Sequence, residues 1–176
     1  NIKKQILIGQ KNIVGIHGPQ GVGKTTLNGF LKKNLEEDGY KVICISLDDF
    51  YLPLNRMKDF LTNSNDKLYK FRGLAGTHDL NLLENTLNNL INNRKILMPI
   101  FDKSVSNGFG DRIGYEEIYD SFDIIILEGW MLAYRPYLNN VDNEVKFFNE
   151  NLKNYKNIQN KINIWILIET DNVDNV

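Results

Sequence analysis

The sequence predicts an α/β fold: a parallel sheet with helices on both faces. Three observations carry that reading. Apolar runs of strand length alternate along the chain with amphipathic runs of helical period. A glycine-rich stretch stands between the first strand-like run and the first helical one. The chain of 176 residues, 42% hydrophobic and 24% charged, has the size and composition of one soluble domain spanning residues 1–176.

The elements follow in order. Residues 12–18 (NIVGIHG) form a short strand. A helix runs from residue 24 to about 38, because Leu27, Phe30, Leu31 and Leu35 share one face and Gly39 supplies the stop. Residues 41–47 (KVICISL) are a buried strand. Asp79 caps a helix whose stripe is Leu83, Leu87, Leu90 and Ile91. Residues 122–129 (FDIIILEG) and 162–169 (INIWILIE) are two further strands, and 103–114, with three glycines, reads as a loop. Asparagine makes up about one residue in seven and is densest in NTLNNLINNR and the last third; it reads as surface filler on polar faces.

Charge and composition exclude several function classes. A net charge of -1, with lysines spread along the chain, offers no long-range attraction to a polyanion, so nucleic acid is not the main partner. No apolar run approaches the ~20 residues a bilayer needs, and the N-terminus has no signal-peptide pattern, so no membrane partner is expected. The lone Cys44 excludes an intrachain disulfide and reads as a buried thiol in a reducing compartment. A cytoplasmic location is the expectation; the chain starts at Asn1, not at a methionine, which leaves an organelle open.

The strongest local signal is GPQGVGKTT, residues 18–26, which fits G-x-x-x-x-G-K-[ST]. Glycines let successive N–H groups curl around a phosphate while the following helix presents its positive end. Gly18, Gly21, Gly23, Lys24, Thr25 and Thr26 are therefore the candidates for binding ATP, with Lys24 reaching the β- and γ-phosphates and Thr25 holding Mg²⁺. No N-K-x-D guanine reader follows; NKIN at 160–163 ends in an amide and precedes its strand. In a parallel sheet the ligand crevice lies at the carboxyl ends of the strands, and that edge receives Asp48, Asp49 and Glu128. Asp48 and Glu128 join Thr25 as candidate metal ligands, and a cation with its substrate would compensate carboxylates that are otherwise costly there.

SLDDFY, RGLAGTHDL, PIFDKS, GFGDR and ILEGWMLAY, in that order, make the chain resemble the D-glycerate 3-kinase-like branch of the phosphoribulokinase/uridine kinase group of P-loop kinases. The resemblance implies a small-molecule kinase of P-loop NTPase fold with sheet order 2-3-1-4-5. It implies that Asp48 accepts the substrate proton and that Glu128 stands where other P-loop proteins carry the Walker B aspartate. It also implies a lid helix and a final strand beyond Val176. Uridine kinases place a tyrosine where this chain has Phe101 and a histidine near Ser106, which argues against a nucleoside pocket.

The acceptor side is read from charge. Arg72, His78, Lys103 and Arg112 come from segments that lead to the crevice, accompanied by Asp79 and Asp102, with Asp49 and Tyr51 beside Asp48. Guanidinium groups can hold a carboxylate bidentately while carboxylates orient hydroxyls, a combination suited to a small hydroxy acid. Trp130, Met131 and Tyr134 read as core packing next to the site. The resulting expectation is an ATP- and Mg²⁺-dependent kinase of a small hydroxylated acid, with D-glycerate foremost. A kinase of a nucleoside, pantothenate or sugar phosphate, and a nucleotide-binding regulator without transferase activity, are the alternatives.

Overall fold

The computed structural model describes residues 2–7, 9–64, 66–139 and 141–170. In chain order its elements are β1 (Asn12–His17), α1 (Lys24–Glu37), β2 (Val42–Ser46), α2 (Leu54–Ser64), α3 (Leu80–Ile91), β3 (Ile96–Asp102), β4 (Asp111–Ile118), β5 (Ile124–Glu128), α4 (Lys146–Leu152), α5 (Lys156–Gln159) and β6 (Ile164–Leu167). The main sheet is parallel, in the order β2-β5-β1-β6. Numbered among themselves these strands run 2-3-1-4, the expected order for four strands; the fifth strand and lid that the resemblance implies fall outside the described residues.

Both faces of this sheet are covered, as continuous apolar strands require. Ile124 and Ile126 of β5 pack with Val14, Ile16, Val42 and Leu35 of α1 on one side. Ile125 and Leu127 pack with Ile13, Ile45, Leu83 and Leu87 of α3 on the other. Every residue of β5 is buried. In α1, Leu27, Leu31 and Leu35 face the sheet, but Phe30 is 64% exposed. At about 100° per residue Leu27, Leu31 and Leu35 fall within one narrow arc, whereas Phe30 lies on its far flank. Gly39 ends the helix at φ 90°, its N–H donating to Glu36 O, and Asp79 caps α3 by accepting from Leu82 N at 3.3 Å.

Three sequence expectations need correction. Residues 103–114 are not all loop: Asp111 begins β4, which pairs antiparallel with β3 as a separate two-stranded arm. Gly108 and Gly110, at φ 83° and 72°, make its turn, while Gly114 sits inside the strand opposite Ile100. Asparagine is more than surface filler, since Asn12, Asn28 and Asn149 are buried. Asn149 bonds both the N–H and the C=O of Tyr137, fixing an irregular segment whose backbone groups have no ladder partner. Cys44 is only partly buried; burial still pushes its thiol upward, as suits an inert side chain.

Behind the sheet's carboxyl edge, a short crossing ties 50–52 to 77–79: Leu52 N donates to Thr77 O at 3.0 Å and Asp79 N to Phe50 O at 2.6 Å. Here His78 is stacked on Tyr51 at 4.6 Å, and its Nδ1 pairs with the Tyr155 hydroxyl at 2.6 Å. Burial pushes the imidazole down to about 4, against a weaker opposing pull from Asp48. The unfolded chain protonates this histidine below its usual value near 6.5 and the folded one does not. Stability therefore falls as pH drops from 6.5 towards 4, by up to about 1.4 kcal/mol per pH unit from this group. Urea unfolding at pH 7 and pH 5 should show the loss, and His78→Phe should flatten the slope while lowering stability at both.

Candidate active site

The site forms where β1, β2 and β5 end level with one another. Glu128 is in register with Ile16 of β1 on one side and Ser46 of β2 on the other. Gly129 lets the chain turn away at once, because a Cβ there would lie 2.6 Å from Leu47 Cβ. After β1 the phosphate loop curls into α1 through Gly23 at φ 90°, and no side chain caps that helix. The first-turn N–H groups are thus left for an anion. Lys24 lies across the loop, its Nζ donating to Gly18 O at 3.0 Å and Pro19 O at 2.7 Å. Burial lowers its pKa, against the opposing charges of Glu128 and Asp48.

After β2 the chain makes a 3₁₀ turn, Leu47–Phe50, whose N-cap Ser46 accepts from Asp48 N at 3.3 Å. Side chains three apart eclipse in such a turn, and Leu47 and Phe50, both fully buried, anchor it in the core. Asp48 and Asp49 are left to point in two other directions. Asp48 faces the cavity: Oδ1 accepts from the Tyr51 hydroxyl at 3.0 Å and Oδ2 from Lys103 Nζ at 2.6 Å. Burial works against its ionisation, but the hydrogen bonds from Lys103 and Tyr51, with the charge of Lys103, hold it below the usual carboxylate range. Asp49 does not line the cavity; burial raises its pKa, and the charge of Asp48 adds to this against a backbone hydrogen bond from Ser46.

These groups surround a cavity of about 660 Å³. Lys24, Thr25, Asp48 and Glu128 line one side of it and Tyr51, Arg72 and Lys103 belong to its wall, together with Gly21 of the loop. Arg72 is fixed by donating Nη1–H bonds to Gly108 O at 2.6 Å and Phe109 O at 2.7 Å, and it lies over the rings of Tyr51 and Phe101. Lys103 follows a register shift between Ile100 and Phe101, the kind of bulge that re-aims a strand end. The Thr25 hydroxyl donates to Glu128 Oε1 at 3.4 Å. A hydroxyl and a carboxylate so placed are the hard oxygen donors Mg²⁺ accepts alongside phosphates. Among the described residues no three His, Cys, Asp or Glu groups could hold a metal by themselves.

Other residues singled out from the sequence lie elsewhere. Arg112, only 9% exposed in its side chain, pairs with Asp79 at 3.2 Å and donates to Tyr51 O at 3.0 Å. That ion pair braces the wall from behind; it is not in the cavity lining. His78 and Asp79 border a second hollow instead, and Asp102 accepts from Ser104 N and Oγ, closing its own turn. Gly18 packs against Ile168 and Val22, and Thr26 is exposed on α1. Trp130 packs against the core beside the site as expected and also lines the cavity, with a buried Nε1 that has no hydrogen-bond partner among the described residues; Met131 is core as expected and Tyr134 is 43% exposed. Gln20, Ser46 and Phe71 also border the cavity; the first two lie within GPQGVGKTT and SLDDFY but were not singled out, and Phe71 lies just outside RGLAGTHDL.

A phosphate loop at the end of β1, a carboxylate at the end of β5 and a second carboxylate facing both across a polar cavity define a P-loop phosphotransferase fold. A scan of protein-family models finds no match to the chain. Individual proteins do match. An uncharacterized kinase of Schizosaccharomyces pombe, mug58, is 33% identical over 96% of this chain and 68% of its own length. The chloroplastic D-glycerate 3-kinase of Arabidopsis thaliana is 34% identical over 89% of this chain and 37% of its own. The solved D-glycerate 3-kinase of Cryptococcus neoformans superposes with a TM-score of 0.83 at 30% identity, covering 94% of this chain and 66% of that one. The chain belongs to the D-glycerate 3-kinase-like branch of the phosphoribulokinase/uridine kinase group of P-loop kinases. It spans about two thirds of the length of the two fungal relatives and little more than a third of the plant one. No helix among the described residues is long and apolar enough to cross a membrane.

Two outcomes follow from this geometry. Lys24→Ala removes a cation at the helix start that supports no core contact, so calorimetry should show severely weakened ATP binding with an unchanged melting temperature. Arg112→Ala should do the reverse. It leaves Asp79, 11% exposed in its side chain, with the outer Arg56 as its one remaining cation among the described residues, costing about 3 kcal/mol of stability, or roughly 6–12 °C in melting temperature.

Proposed function

We propose that this protein transfers the γ-phosphoryl group of ATP to a hydroxyl of a small hydroxy acid, D-glycerate foremost. The single observation that carries the reading is Asp48: a carboxylate held below its usual range that lines the same cavity as Lys24 of the phosphate loop, bonded to Lys103 and sharing that cavity with Arg72. A nucleophile needs an acceptor for its proton, a negatively charged acceptor needs cations, and one cavity offers both. The family supports the same acceptor, since two of the relatives are named for D-glycerate.

In this reading the loop amides and Lys24 hold the β- and γ-phosphates, with Lys24 giving up its bonds to Gly18 and Pro19 carbonyls for phosphate oxygens. Thr25 and Glu128 would hold Mg²⁺, which when bound neutralises charge on the phosphates. Arg72, its plane fixed by the two loop carbonyls, turns the rest of its fork to the acceptor's carboxylate. Asp48 orients the acceptor hydroxyl and takes its proton. Phosphoryl transfer runs through a loose transition state in most analyses, so an aspartate of low pKa suffices and orientation is its larger task.

Glycerate-dependent release of ADP by the intact protein tests the reading, and Asp48→Asn tests its centre. That variant keeps the shape and removes the charge, so kcat should fall by roughly 10² to 10⁴ with ATP affinity retained. Asp49→Asn, altering a group outside the cavity, should cost far less; equal losses in the two variants would remove Asp48 from its role.

A further inference from the structure

We propose that Lys103 is a catalytic residue: a cation held on Asp48 between turnovers that turns to the migrating phosphoryl group as Asp48 takes up the acceptor's proton. The inference rests on the kinase reading above and assigns Lys103 a role other than gripping the acceptor in the ground state.

Both oxygens of Asp48 are occupied before any substrate binds, one by Tyr51 and one by Lys103. An acceptor hydroxyl must displace one of them. Tyr51 cannot yield: it is 2% exposed, its ring stacked on His78 at 4.6 Å and met edge-on by Phe101 at 5.2 Å. Lys103 can, because its side chain is 54% exposed on a flexible stem beyond the end of β3. Oδ2 is therefore the oxygen the acceptor reaches, and the displaced ammonium remains beside the reacting centre. Lys24 and Lys103 line the same cavity as Asp48, so both lysines can reach a phosphoryl group held there.

The proton balance gives the ammonium its timing. The acceptor O–H bond breaks and its proton passes to Asp48 Oδ2. The acceptor oxygen bonds to the γ-phosphorus as the bond from that phosphorus to the bridging oxygen breaks, and ADP leaves with the electron pair. Asp48 loses its charge in this event, and the Lys103 ammonium loses its counter-ion. Its N–H groups then go to a non-bridging phosphoryl oxygen. The contact is stronger in the transition state than in the ground state, the condition for a contribution to rate.

The test uses Lys103→Ala and Lys103→Arg in the intact protein, with D-glycerate and ATP varied in turn. Lys103→Ala should lower kcat by roughly 10² to 10³, the cost of removing one such donor, with the KM for glycerate, the calorimetric Kd for ATP and the melting temperature near wild type. Methylammonium to n-butylammonium should restore turnover saturably, tetramethylammonium, which has no N–H, should not, and Lys103→Arg should retain partial activity. A rise in glycerate KM at unchanged kcat would make Lys103 a ground-state ligand and overturn the inference while leaving the kinase reading intact. Lost melting temperature without amine rescue would also overturn it. A wild-type protein that releases no ADP with D-glycerate or other small hydroxy acids would sink the kinase reading itself, and this role with it.

Discussion

The site depends on the register of β5. That strand is hydrogen-bonded on both edges and buried on both faces, so its position is fixed by packing in every direction. Because side chains alternate with a period of two, a slip of one residue would exchange Ile124 and Ile126 for Ile125 and Leu127 against α1. The same slip would carry Glu128 away from Ile16 and Ser46. The phosphate loop, the Leu47–Phe50 turn and Glu128 thus meet at one edge because three parallel strands end level, and they do so to bury apolar surface. The chemistry borrows a geometry that the core has already determined.

Charge at that edge is tolerated because each group has a partner before any ligand binds. Glu128, 8% exposed, accepts from Thr25; Asp48 accepts from Tyr51 and Lys103; Lys24 is held by the carbonyls of its own loop. Lysine, arginine and carboxylate side chains line the cavity as three cations against two anions, on a chain whose net charge is -1. A local excess of positive charge in a polar cavity suits a polyphosphate and an anionic acceptor. The interim partners keep the groups close to the positions the ligands require, which limits reorganisation on binding.

The sheet, α1, α3 and the phosphate loop were legible because their signals are local: a strand, a glycine-rich turn and a helix are each encoded within a few residues. Asp48 and Glu128 were legible because the edge of a parallel sheet is a general rule. The arm of β3 and β4 was not, since its turn glycines resemble a loop and its register depends on pairing with a distant segment. For the same reason Arg72 and Arg112 looked alike in sequence. One lies in the cavity wall and the other behind it, a difference set by the pairing of Phe101 with Arg112 and by Asp79 at the start of α3. Trp130 reads as core because a tryptophan after a buried strand usually is, and it packs there; that it also borders the cavity depends on the tight turn Gly129 makes against Leu47.

Adjacent carboxylates Asp48 and Asp49 show how local geometry separates chemically identical groups. Consecutive residues of a 3₁₀ turn point about 120° apart, so anchoring Leu47 and Phe50 in the core cannot send both aspartates to the cavity. One meets Tyr51 and Lys103 and is held ionised. The other, partly buried and with no cation paired to it among the described residues, is pushed upward by burial, and the charge of its neighbour pushes it further against a weaker pull from Lys103. Two ionised aspartates facing the phosphates would oppose nucleotide binding; one facing and one turned away leaves a single negative group where a proton must be received. The apolar spacing of Leu47 and Phe50 is therefore as much a part of the site as the aspartates between them.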